Sequence, residues 1–172
     1  QAATFQQQVV AVALLKGRDA ALAWLKGLRQ YGRVYNSDSA AVEAVEGGDI
    51  PVALSNNYYW YALEQELGPD NMNSALHFIG NGDPGTLITV SGAGVLKTSK
   101  KAEAAQRFVS FMVSAEGQAA IVGAIAEYPL RPGVVSPFPL KPFDQLDPAP
   151  VTPADLGDAA DALALLREAD LA

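Results

Sequence analysis

Between Tyr128 and Pro153 this 172-residue chain carries eight of its 11 prolines. Proline fixes φ and has no N–H, so such a stretch is neither a helix interior nor the middle of a β-ladder. It is expected to be extended and irregular, with Phe138, Leu140 and Phe143 pinning it to a surface. Regular structure is therefore sought on either side of it.

Upstream, Phe5, Val9, Val12 and Ala13 recur at helical spacing and Gly17 supplies a stop. A second helix is expected from about Asp19 to Gly32, with Leu22, Leu25 and Leu28 on one face. Asp38 or Ser39 reads as the cap of a short third helix whose Ala41, Val42 and Val45 face inward, ended by Gly47-Gly48. Ile50-Pro51-Val52-Ala53-Leu54 reads as a buried strand that runs into Ser55-Asn56-Asn57. A helix then starts near Tyr58 and stops at Gly68-Pro69. Leu76 to Ile79, Thr86 to Val90 and Gly92 to Leu96 read as further extended segments. Thr98 or Ser99 opens an amphipathic helix through Ala102, Ala105, Phe108, Val109 and Met112, and Ser114 restarts a helix to about Ala126. After the proline stretch, Thr152-Pro153 and Asp155 mark the start of a closing helix with Leu156, Leu163 and Leu166. Strands alternating with helices make this an α/β chain.

Nearly half the residues are apolar, so a sizeable core is available. Twelve basic against 19 acidic residues give a net charge of −7. That balance, without a basic stripe, argues against nucleic acid and against docking on anionic membranes. The apolar runs are too short to span a bilayer, so a soluble chain is expected. Cysteine is absent, which removes disulfides, thiolate metal sites and cysteine nucleophiles. The sequence opens at Gln1 without an initiator Met, as it would after loss of a leader or inside a longer protein.

The densest chemistry is Ser55-Asn56-Asn57-Tyr58-Tyr59-Trp60-Tyr61, on a strand-to-helix turn of the kind where α/β sheets place their ligands. An aromatic run can equally belong to a core. Adjacent helical residues point about 100° apart, however, so Tyr58 and Tyr59 cannot both follow Trp60 inward. At a turn the two phenols can converge on one external point, with amides of Asn56 and Asn57 at the same mouth. Phenolates are hard oxygen ligands, and a site with no Cys and one His in the chain disfavours zinc and copper. A tyrosine of ordinary pKa about 10 ionises at neutral pH only beside a strong positive charge. A trivalent metal supplies that charge, which points to ferric iron.

At these residues the sequence resembles the tyrosine-pair motif of the ferric-ion-binding periplasmic proteins of ABC importers. Other stretches agree with that family in order and spacing: Phe5 to Gly17 followed by Trp24-Leu25-Lys26-Gly27-Leu28, Ala44 to Ile50, Gly82-Asp83-Pro84-Gly85, Ser91 to Lys97, Glu116-Gly117-Gln118 and Glu127-Tyr128-Pro129-Leu130. The resemblance covers almost the whole chain and implies a class II periplasmic-binding-protein-like fold, α/β and incomplete. It implies that Tyr58 and Tyr59 bind Fe(III) and that Asn56 helps hold a synergistic anion such as phosphate or carbonate, with Asn57 and Asp38 as neighbouring contacts. A carboxylate at Asp38, where a relative carries Asn, repels an anion and leaves metal binding intact. The family's Ser/Asn-Gly turn before Phe5 is replaced by Gln1-Ala2-Ala3-Thr4. Also implied are an extracytoplasmic location, in the periplasm or tethered to a Gram-positive cell surface, and delivery to an ABC permease. The family's first lobe, which brings a His and a carboxylate to the iron, has no counterpart in this sequence. The resemblance thus divides the chain into a tyrosine-bearing lobe at 1–88, a segment at 89–139 that crosses to the first lobe, and a returning linker and helix at 140–172. Segments without partner strands invite the complementary lobe or a self-associated copy.

The remaining signals are weaker. His77, between Leu76 and Phe78, reads as structural or surface. A hydrolase built on His77, Asp83 and Ser91 has the residue types of a triad, but no nucleophile elbow surrounds Ser91. Gly92-Ala93-Gly94 lacks the spacing of a phosphate loop and reads as close backbone packing. Glu43, Glu46, Asp49, Glu64 and Glu66 read as a solvated face. The sequence is therefore read as a binding module and not an enzyme, with an organic or anionic solute in the same cleft as the alternative to iron.

Overall fold

Gly17 sits at φ +90°, a left-handed conformation that costs glycine little, and so lets two helices meet with one residue between them. The computed structural model describes residues 3–158 and 160–172. In order along the chain its α-helices are α1 (Ala3–Lys16), α2 (Arg18–Tyr31), α3 (Asp38–Glu46), α4 (Asn57–Leu67), α5 (Ala102–Met112), α6 (Ala115–Ala124) and α7 (Ala160–Glu168). Short 3-10 turns stand at Pro69–Asn71 and Phe143–Gln145. The chain forms two units: one gathers the residues up to Ala40 with His77–Val90 and Asp144–Ala172, the other Ala41–Leu76 with Ser91–Phe143.

In the first unit α1, α2 and α7 bury one another. Ala162, Leu165, Leu166 and Ala169 follow the i, i+3, i+4, i+7 spacing of a single helix face and meet Val9, Ala21 and Leu25. Phe5 packs on Trp24 with ring centroids 5.8 Å apart. Leu22 and Leu28 flank this core, in line with the stripe expected for α2. The closing helix starts later than expected. Asp155 accepts bonds from the Thr152 N–H and hydroxyl, and this local turn is followed by Gly157 at φ +57°. Asp158 Oδ1 then accepts from the Ala160 N–H at 2.9 Å.

In the second unit Ser114 Oγ accepts from the Gly117 N–H at 3.0 Å and starts α6 at the expected place. A Cβ on Gly117 would lie 2.0 Å from the Phe111 carbonyl oxygen, so only glycine lets α6 turn back so closely on the end of α5. Along the chain the starts of α3 and α5 differ from expectation, and α4 starts beside the expected Tyr58. Ser37 Oγ, not Asp38 or Ser39, accepts from the Ala40 N–H, which makes Asp38 the first residue of α3. α4 begins at Asn57, and α5 begins at Ala102 after a turn in which Ser99 Oγ accepts from the Lys101 N–H. The proline stretch is pinned as its aromatics suggest: Phe138 meets the Tyr61 ring at 5.9 Å, and Phe143 meets Tyr128 at 5.3 Å. Tyr128 also donates its hydroxyl to the Lys141 carbonyl at 2.6 Å.

The expected strands do not form. No described residue takes part in a β-ladder, and Val52, in the run read as a buried strand, is 74% exposed. A strand is defined by its hydrogen-bonded neighbour, and the described residues bring none alongside these segments. Isolated backbone bonds remain. In the first unit Thr86 Oγ1 accepts from the Gly80 N–H, and the Thr86 carbonyl accepts from Ala149.

Candidate functional site

Asn56 keeps extended backbone, φ −77° and ψ 143°, and the next residue is helical. Its carbonyl accepts from the Tyr59 N–H at 3.2 Å, while its side chain does not cap α4. Nδ2 of Asn56 donates instead to the Tyr58 phenol oxygen at 2.7 Å. Tyr58 and Tyr59 belong to the first turn of α4, at the positive end of its backbone dipole.

A helix places residues 57, 60 and 61 on one face, three and four residues apart. All three are tied down. Asn57 Nδ2 donates to the Ala126 carbonyl at 2.8 Å, and the Trp60 indole N–H to Ser74 Oγ at 3.0 Å. The Tyr61 hydroxyl donates to the Pro139 carbonyl at 3.0 Å. Tyr61 is 6% exposed, with its ring edge-on to Trp60 at 5.3 Å. Burial pushes its phenol above the ordinary range, and the negative charge of Glu64 adds to the shift. Tyr61 is thus an anchor held in the neutral form. Tyr128 is raised likewise, by burial and then by Tyr61.

With that face occupied, Tyr58 and Tyr59 leave the turn elsewhere. Both are half-buried, and their rings stand 4.6 Å apart at 44°. The two rings thus lie against each other in the first turn of α4, at a helix N-terminus, which favours negative charge. Each phenol is by type a hard oxygen donor.

A second layer, absent from the sequence reading, supports Trp60. Glu46, partly exposed at the end of α3, is held by hydrogen bonds. Its Oε1 accepts from the Asn73 N–H at 2.7 Å and from Asn73 Nδ2 at 3.1 Å. Oε2 accepts from the Ser74 N–H at 3.0 Å and from Ser74 Oγ at 2.5 Å. The Ser74 hydroxyl, in first place, holds the Glu46 carboxyl below its usual range, with the Asn73 N–H next. These partners are 27 and 28 residues away, so no local pattern announced them.

Of the other expected residues, Asp38 lies in the first unit, half-buried in the first turn of α3. His77 is exposed there, and Asp83 accepts from the Gly85 N–H, which makes it a turn residue. Ser91 belongs to the second unit. A Cβ at Gly92 or Gly94 would meet no atom, so close backbone packing does not explain them. Gln1 and Ala2, where the anion turn of the resembling family would fall, lie outside the described residues. Among the described residues no three His, Asp or Glu side chains gather as a metal site, and no helix is long and apolar enough to cross a membrane.

Residues 2–146 match the family of bacterial extracellular solute-binding proteins. The major ferric iron-binding protein of Neisseria meningitidis serogroup A is 47% identical over 167 residues, which are 97% of this chain and 50% of that protein. The Fe(3+)-binding periplasmic protein of Serratia marcescens is 32% identical over 170 residues, 98% of this chain and 50% of its own length. The crystal structure of iron-bound HitA from Pseudomonas aeruginosa superposes with a TM-score of 0.93 at 51% identity, covering 98% of this chain and 55% of that one. The backbone path is therefore that of part of a periplasmic-binding-protein fold. The chain spans about half the length of the curated relatives it matches.

Proposed function

This chain belongs to the bacterial extracellular solute-binding proteins, and on that footing we propose that it is the tyrosine-bearing part of a receptor that captures Fe(III) outside the cytoplasm and passes it to an ABC permease. The observation that carries the reading is the adjacent rings of Tyr58 and Tyr59, with centroids 4.6 Å apart, at the N-terminus of α4. The relatives, named as ferric iron-binding proteins, favour the same cargo. In this reading both tyrosines bind the metal as phenolates. The trivalent charge drives off their protons, so uptake releases acid. Asn56, which already donates to Tyr58, orients that oxygen and offers its amide to a phosphate or carbonate on the metal. Asn57 sets the turn from which the tyrosines project.

Two phenolates leave an Fe(III) coordination shell unfilled. The other ligands are proposed to come from the half of the fold that the relatives possess beyond this chain, or from a second copy. The test is a ferric citrate titration of the 172-residue chain, and of the same chain joined to the uncovered part of HitA, read by the visible tyrosinate-to-iron charge-transfer band. The chain alone is expected to give a weak band and the joined protein a strong one. Tyr58→Phe and Tyr59→Phe each diminish it, and the double variant abolishes it. A joined protein that stays colourless overturns the proposal.

A further inference from the structure

We infer that Glu46 is a positioning residue for the tyrosine pair, acting through Ser74 on Trp60. The inference rests on the reading of Tyr58 and Tyr59 as ligands only for its consequence in iron binding; the geometric claim stands apart from it. A serine hydroxyl has one proton. Because Ser74 gives that proton to Glu46 Oε2, its oxygen is left as an acceptor, and the Trp60 indole N–H occupies it at 3.0 Å. Without the carboxylate the hydroxyl is free to rotate and can present its proton where the indole donates. Glu46 thereby fixes the sense of the whole chain of bonds.

Trp60 follows Tyr59 directly and shares a helix face with Asn57 and Tyr61, whose own ties go to the Ala126 and Pro139 carbonyls. Three anchors on one face set the rotation of α4 about its axis. The rotation sets where the tyrosines of positions 58 and 59 are aimed. Of the three, only the Trp60 anchor runs through a charged group, and charge-assisted hydrogen bonds are the stronger kind. The carboxylate is also fully engaged, since four donors from Asn73 and Ser74 meet its two oxygens. In Glu46→Gln one of those oxygens becomes an amide that cannot accept, and two donors lose their partner.

The test uses the 172-residue chain, first without iron. Aromatic and indole NMR signals are recorded for the wild type, Glu46→Gln, Ser74→Ala and a destabilised control, Leu25→Ala, in the first unit. The ring signals are assigned through Tyr58→Phe and Tyr59→Phe. Glu46→Gln and Ser74→Ala are both expected to shift the Trp60 indole N–H together with the Tyr58 and Tyr59 rings. Leu25→Ala is expected to lower the melting temperature and leave those signals in place. Tyrosine rings that stay fixed while the indole signal moves overturn the inference, as do rings that move equally in Leu25→Ala. Should Glu46→Gln not fold, Ser74→Ala decides by the same criterion, because it keeps the carboxylate's bonds to the backbone. A second arm adds ferric citrate. A band of unchanged position and strength in both variants overturns the inference. A wild type without any band counts against the iron reading alone, and shifted rings in the iron-free arm still support the positioning role.

Discussion

In the first unit Val9, Leu25 and Leu166 are wholly removed from water, whereas α5 in the second unit buries no residue and leaves Phe108 63% exposed. Both helix sets carry an apolar stripe at helical spacing. In the first unit three stripes face one another, and burying each large side chain contributes about 1.5–3 kcal/mol. In the second unit the parts that surround the tyrosines are located by polar ties: Asn57 to Ala126, Trp60 to Ser74, Ser74 to Glu46, and Tyr61 to Pro139. Apolar contact is forgiving about direction, and a hydrogen bond is not. The first kind suffices to hold helices together; the second fixes how one helix is turned.

Substitution separates the two means most sharply at the extremes. Leu25→Ala is expected to cost about 2–5 kcal/mol, because the side chain lies in a closed core and leaves a cavity. Phe108→Ala is expected to stay within about 0.5 kcal/mol, as surface substitutions do. Urea unfolding midpoints of the two variants measure the contrast. A large cost for Phe108→Ala would mean that the α5 face is covered in solution, and a mass measurement would then identify a self-associated copy. Gly117→Ala comes next, at about 1–3 kcal/mol, since its Cβ has to push the Phe111 carbonyl aside.

How far the sequence could be read depended on how local each cause was. Gly17, Gly32 and Ser114 marked helix ends correctly because stops and caps act within one turn. The run from Ile50 to Leu54 looked like a buried strand because it is apolar, yet pairing is a property of two segments, and no described segment pairs with it. Thr152 and Asp155 carry the same residue types that cap a helix and used them to close a turn. At the site, the closeness of the Tyr58 and Tyr59 rings was legible from their adjacency at a turn. Their supports were not, for Trp60, Asn57 and Tyr61 find partners 14, 69 and 78 residues away. The partners of Glu46 were hidden for the same reason.

Within the second unit, Ser114→Ala removes the cap of α6 and is expected to cost about 1 kcal/mol, less than the cavity and the clash above. Thermal melting followed by helical circular dichroism measures it. The same substitution releases the Gly117 N–H and leaves the four donors to Glu46 untouched, so the Trp60 indole signal is expected to stay put. If that signal moves, the capping of α6 and the aiming of α4 are coupled, and the polar ties act as one network.

The smallest expected effect concerns acid. The Glu46 carboxyl is held below its ordinary value in the folded chain by the Ser74 hydroxyl first and the Asn73 N–H next, so the folded state binds its proton less readily than the unfolded state. The stabilisation it gives is therefore complete above the ordinary glutamate value of about 4.3 and is lost as the pH falls through the lower folded value. Asp155 is lowered too, by Thr152, and both the parent chain and Glu46→Gln contain it. Subtracting their melting temperatures at each pH removes that shared contribution. The difference is expected to be constant from neutral pH down to about 5 and to close in more acid solution. A difference that stays constant into acid would assign the cost of Glu46→Gln to the shape of the new side chain. A difference that closes assigns it to the carboxylate's charge, which is the property that orients Ser74 and, through it, Trp60.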